Sequence, residues 1–166
     1  QEGGRKLRLS SSQVMRLAQG LYERGYITYM RTDTVVLSAE AMAAVRDEIK
    51  RAYGANFVSP APRQYTSKSK NAQEAHECIR PTTPLRAPDT VAGDLNAQEL
   101  ALYRMIWQRT LASQMADAAG TTVSIRLGAL AQSGPAAGTD TEFAASGTTI
   151  TFPGHRQVYV ESVDED

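Results

Sequence analysis

The sequence predicts an α+β protein, with a mainly helical part over residues 1–117 followed by part of a β-rich domain over residues 118–166. Two observations predict it. Before residue 117, apolar residues recur at helical spacing in three separate segments. After Gly120 the period falls to two: in "TTVSIRL", Val123, Ile125 and Leu127 alternate with polar residues.

The first helix is predicted from Ser10 to Gly25. Val14, Leu17, Ala18, Leu21 and Tyr22 form one apolar stripe, Ser10 and Gln13 make a capping box, and Gly25 suits a left-handed stop. A second helix is predicted over 39–53, capped by Ser38, with Met42, Val45 and Ile49 facing the core and Gly54 ending it. "SPAPRQYTSKSKN", residues 59–71, reads as a loop. Asn71 and Glu74 suggest a short helix over 72–80 stopped by Pro81, and "RPTTPLRAPDTVAGDLN" reads as a long Pro-rich connection. Asn96 and Glu99 open the clearest helix, about 97–115, with Leu100, Tyr103, Trp107, Leu111 and Met115 along its apolar stripe. In the last part, "GALAQSGPAAGTD" reads as a loop. "TEFAASGTTITF" reads as two short strands around Ser146 and Gly147, and "QVYVES" as a final strand. So few strands make a marginal sheet, which suggests that further strands lie elsewhere in a longer chain.

At 166 residues, 42% hydrophobic and 22% charged, the chain has the composition of a globular domain with its own small core. No apolar run approaches the roughly 18 residues of a membrane helix, so no membrane partner is expected. The single Cys78 excludes an internal disulfide and a Cys-rich zinc site. The absence of GxxxxGK[ST], GxGxxG and HExxH argues against ATP binding by a phosphate loop. The zero net charge conceals a split. Residues 1–86 hold 14 of the 18 basic and 8 of the 18 acidic side chains, a balance of +6 that the remainder offsets. A half-chain that basic is a candidate for phosphate contact.

Two stretches carry chemistry. In "GYITYMRTDT", residues 25–34, an extended backbone would put Tyr29, Arg31 and Asp33 on one side and Thr28, Met30 and Thr32 on the other. A phenol titrates near pH 10, so it is a poor nucleophile unaided. A neighbouring arginine favours the phenolate and can hold a phosphate through its fork of donors. Asp33 could orient Arg31. The plain alternative is a half-buried strand tyrosine beside a surface Arg31–Asp33 pair, with Tyr26 as a packing residue. In "AQEAHECIRPT", residues 72–82, His76 and Arg80 would share one face if the segment is helical, and together could grip a phosphate. The alternative is a surface histidine paired with Glu74 or Glu77. His155 reads as incidental.

"ITYMRTDT" and, some forty residues on, "AHECIRPT" resemble the type IA DNA topoisomerases of bacteria, which usually carry ITYMRTDS and AHEAIRPT. The flanking "GLYERGYITYMRTD" and the helix "LYRMIWQRTLASQM" agree, and the resemblance covers residues 5–127. It implies that Tyr29 is the nucleophile, forming a 5′-phosphotyrosine on single-stranded DNA without ATP, and that the intact enzyme relaxes negative supercoils in the cytoplasm, at the bacterial nucleoid. It also implies that Arg31 contacts the scissile phosphate, with Asp33 supporting it, that His76 assists, and that Arg80 contacts DNA. The strand region would be part of a β-rich arch. Thr34 and Cys78 depart from the usual serine and alanine. The Mg²⁺-binding acidic cluster of the family's Toprim domain is absent from these residues, as is a zinc ribbon. The expectation is therefore a fragment of a longer chain, inactive for relaxation unless the Toprim and remaining domains are supplied. The competing readings are a winged-helix-like DNA-binding module without chemistry and, from the acidic half, a protein-interaction domain.

Overall fold

The protein is described here by a computed structural model covering residues 1–66 and 77–160. It is an α+β chain that divides into two compact units, one of residues 1–116 with the chain from His155, the other of Asp117–Gly154.

Among its described residues the first unit holds five α-helices: α1 (Glu2–Leu7), α2 (Ser11–Glu23), α3 (Ala39–Tyr53), α4 (Pro88–Val91) and α5 (Ala97–Gln114). The ends are set where the sequence places them. Ser10 Oγ accepts from the Gln13 N–H while Gln13 Oε1 accepts from the Ser10 N–H, closing the capping box of α2. Ser38 Oγ caps α3, and Asn96 and Glu99 cap α5 reciprocally, with three bonds of 3.0 Å. Gly25 follows α2 at φ 74°, a conformation open to glycine, and turns the chain into the segment that carries Tyr29.

Helix α5 is the central element, with α1, α2, α3 and α4 all packed on it. Leu102, Tyr103, Trp107 and Leu111 of α5 meet Ala18 and Leu21 of α2 and Val45 and Ile49 of α3 in one core. Burying each large apolar side chain contributes about 1.5–3 kcal/mol. Met42 is only half-buried and lies outside this cluster. Helices α1 and α4 were not anticipated from the sequence. Helix α4 sits inside the Pro-rich connection, where Pro88 takes the first helical position, needing no N–H partner there.

Several sequence expectations fail for non-local reasons. Residues 77–80 are not helical; they run alongside Tyr26–Thr28, with an Ile27–Pro81 bridge. The earlier part of that expected helix and of the loop before it lies outside the described residues. "QVYV" is not a strand but part of a 3-10 turn, Gly154–Tyr159. Its Val158 is buried in the helical core, and Gln108 Nε2 donates to the Val158 carbonyl.

The second unit is a two-stranded antiparallel ribbon, β1 (Ala119–Leu130) and β2 (Asp140–Phe152). Ser146 and Gly147 do not form a hairpin turn. Strand β2 runs through them, and Gly147 pairs with Val123. The positive φ angles that a tight turn demands fall instead at Gly134 and Gly138, both 83°, in the loop between β1 and β2. One face of the ribbon carries Val123, Ile125 and Leu127 opposite Gly147, Ala145 and Phe143, and its large apolar side chains are exposed. Among the described residues, no helix is long and apolar enough to cross a membrane.

Candidate active site

The two motif segments are brought together by backbone pairing. The Thr28 N–H donates to the Arg80 carbonyl at 2.9 Å, and the Thr82 N–H donates to the Tyr26 carbonyl at 3.0 Å. The Thr28 hydroxyl accepts from the Arg80 N–H at 2.9 Å and donates to the Cys78 carbonyl at 2.7 Å. Farther along, the Cys78 N–H donates to the Val36 carbonyl. The extended segment after Gly25 is therefore held along the 77–82 segment rather than left as a free loop.

Within that segment the side chains alternate. Met30 and Thr34 are buried, 7% and 9% exposed, while Tyr29, Arg31 and Asp33 are all exposed. Tyr29 keeps 41% of its surface accessible, so its phenol is open to an incoming ligand. Arg31 and Asp33 make no ion pair with each other among the described residues, so neither the expected orienting bridge nor the surface-pair alternative is formed.

Arg80 is placed differently from a free phosphate contact. It is 8% exposed, its Nε donates to Glu77 and its Nη1 donates to the Pro81 carbonyl at 2.9 Å. The hydrogen bond from Arg80, with further ones from Ser38, holds the Glu77 carboxyl below the usual glutamate range against the opposing effect of burial. His76 lies outside the described residues. His155 opens the C-terminal 3-10 turn, its N–H donating to the Ala116 carbonyl. Cys78 is half-buried, and burial pushes its thiol up.

Sequence reasoning missed the surroundings of Tyr29. Tyr22, assigned to the apolar stripe of α2, leaves the core; it is 42% exposed and meets Tyr29 edge to face, ring centroids 5.2 Å apart. Both line a cleft of about 360 Å³ with Thr28, Thr32, Glu77 and Thr82. The available signal was the position of Tyr22 in the last turn of α2, where the stripe meets the exposed connection. Tyr26 is the packing tyrosine, 6% exposed, against Tyr103 and beneath the guanidinium of Arg86 at 4.4 Å. Among the described residues, no three His, Cys, Asp or Glu side chains gather as metal ligands would.

The family model described as DNA topoisomerase matches residues 1–166. The chain belongs to the DNA topoisomerase family. It is 55% identical to DNA topoisomerase 1 of Mycolicibacterium smegmatis and 51% identical to that of Synechococcus elongatus, in each case over 99% of its own length. The full-length topoisomerase I of Thermotoga maritima matches 99% of the chain with a TM-score of 0.75 at 29% identity. The chain spans 17% and 18% of the two sequence relatives and 26% of the Thermotoga chain. Its topoisomerase motifs, "ITYMRTDT" and "AHECIRPT", contribute the two paired segments, apart from the portion of the second outside the described residues.

Proposed function

We propose that this topoisomerase segment cleaves and rejoins single-stranded DNA through Tyr29, as part of an enzyme that relaxes negative supercoils. The observation that carries the reading is the joint exposure of Tyr29 and Arg31, two residues apart on a segment pinned at Thr28. Family membership supports the same chemistry.

In the proposed step the Tyr29 Oη attacks a backbone phosphorus. A tyrosyl O–P bond forms, the P–O3′ bond breaks, and the departing 3′ oxygen ends as a hydroxyl carrying a proton. The reverse attack by that hydroxyl reseals the strand and frees the phenol. One phosphodiester is exchanged for another, so no ATP is consumed. Arg31 would bind the non-bridging phosphate oxygens as charge builds on them, with Asp33 beside it. His76 would assist at the same phosphate. Arg80, engaged with Glu77 and Pro81, would shape the 77–82 segment rather than touch DNA.

Among the described residues, no three His, Cys, Asp or Glu side chains gather to hold the Mg²⁺ that the resemblance implies. On this reading the ion belongs to a Toprim domain of the intact enzyme, which would also supply the rest of the cleavage site. The exposed apolar face of the ribbon fits the partial β-rich arch, with further strands to cover it. The cytoplasm, where the nucleoid lies, would be the place of action.

A covalent-adduct assay tests the reading. The chain is mixed with a 3′-labelled single-stranded oligonucleotide and Mg²⁺, alone and with a family Toprim half in trans, then denatured. Labelled protein that disappears in Tyr29→Phe is the expected result. No adduct in either mixture, with the added half shown to be folded and bound, would favour a DNA-binding module without chemistry.

A further inference from the structure

We propose that the cleft beside Tyr29 is a nucleobase subsite, holding the base of the nucleotide whose 5′-phosphate Tyr29 would carry, with Tyr22 as its aromatic wall. The inference rests on the proposed role of Tyr29 and adds a ligand contact to it.

Tyr22 sits in the last turn of α2 and is as exposed as Tyr29, although the rest of its helical stripe faces the core. The two rings stand 66° apart and form an aromatic corner at the mouth of the cleft. The threonine hydroxyls around them are already engaged. Thr28 is bonded to Cys78 and Arg80, Thr82 Oγ1 donates to the Gly25 carbonyl at 2.7 Å, and Thr32 Oγ1 accepts from the Thr34 N–H. The Glu77 carboxylate is engaged too, by Arg80 and Ser38, which leaves an apolar and aromatic wall.

Such a lining discriminates between the parts of a nucleotide. A phosphate finds its exposed cation outside the cleft, at Arg31. A base offers a flat π face to Tyr22. The phosphate would thus lie toward Arg31 and the base in the cleft. Aromatic stacking tolerates any base.

The test uses the 166-residue chain and two 5′-phosphorylated tetranucleotides, one complete and one abasic at its 5′ residue. Affinity is read by fluorescence anisotropy. The chain is expected to bind the complete oligonucleotide about tenfold tighter than the abasic one. Tyr22→Ala should erase that difference by weakening only the complete ligand, and Tyr22→Phe should keep it. Because Tyr22 is exposed, circular dichroism should show both variants folded as the parent. An unchanged preference in Tyr22→Ala, or no preference in the parent chain, overturns the subsite and leaves the cleavage reading standing. Failure of both oligonucleotides to bind overturns the DNA reading together with the subsite. Tyr29→Phe should retain the base preference, so the nucleophile is judged separately by the adduct assay.

Discussion

Thr28 and Arg80 are joined in both directions: each donates its backbone N–H to the other, Thr28 to the Arg80 carbonyl and Arg80 to the Thr28 hydroxyl, both at 2.9 Å. The same hydroxyl donates its own O–H to the Cys78 carbonyl at 2.7 Å. One side chain thereby ties the segment carrying Tyr29 to the segment that follows His76 in sequence. The proposed chemistry depends on that tie, since the phenol and Arg31 act together only if their backbone is fixed.

Replacing Thr28 with valine keeps the shape and removes the hydroxyl. The Arg80 N–H loses its acceptor and the Cys78 carbonyl its donor, which should lower stability by about 2 kcal/mol. Urea denaturation measures it, and Thr28→Ser, which keeps the hydroxyl, should recover most of the loss.

Arg80 and Arg31 should separate in a salt titration of single-stranded DNA binding. Arg31→Ala removes one exposed cation, so the slope of log affinity against log salt should fall by about 0.7. Arg80→Gln should leave the slope unchanged and instead lower the melting temperature, because its guanidinium is engaged with Glu77 and the Pro81 carbonyl.

Glu77 should add an acid limb to stability. Its carboxyl titrates below the ordinary 4.5 in the folded chain. The contribution is therefore present above that value and is lost as pH falls through the lower folded value. Melting temperature measured from pH 6 to pH 3 should fall less steeply in Glu77→Gln than in the parent at the acid end.

Cys78 should alkylate slowly. Burial holds its thiol above the ordinary value, so less of it is thiolate at pH 8. Its rate with iodoacetamide is expected to rise several-fold on unfolding in urea. An equal rate in both states would contradict the placement of Cys78.

Gln114 should be as sensitive as a large core residue. It is fully buried, accepting from the Arg63 N–H at 3.0 Å and donating to the Arg63 carbonyl at 2.8 Å. Gln114→Leu removes both bonds and should cost about 2–3 kcal/mol. Hydrogen exchange at the Arg63 amide should accelerate by more than at amides within α2.

The sequence by itself determined the features encoded within a few residues. Ser10 with Gln13 and Asn96 with Glu99 place helix starts because a cap joins groups three positions apart. The exposure of Tyr29, Arg31 and Asp33 against buried Met30 and Thr34 keeps the two-residue alternation suggested by the sequence, although the chain bends at Met30 and Arg31. The motifs carried the family for the same reason, being contiguous. Tertiary structure alone decided what depends on distant partners. Residues 77–80 pair with Tyr26–Thr28 some fifty positions away, so they run extended despite a helical cap pattern before them. Arg80 is fixed at its backbone by Thr28, 52 positions away, while Tyr22 is left outward beside Tyr29. Ser146 and Gly147 continue a strand because β1 offers a long ladder, and "QVYV" coils because Val158 finds the helical core. In each case a contact formed across the fold outweighed a local preference worth no more than about a kilocalorie per mole.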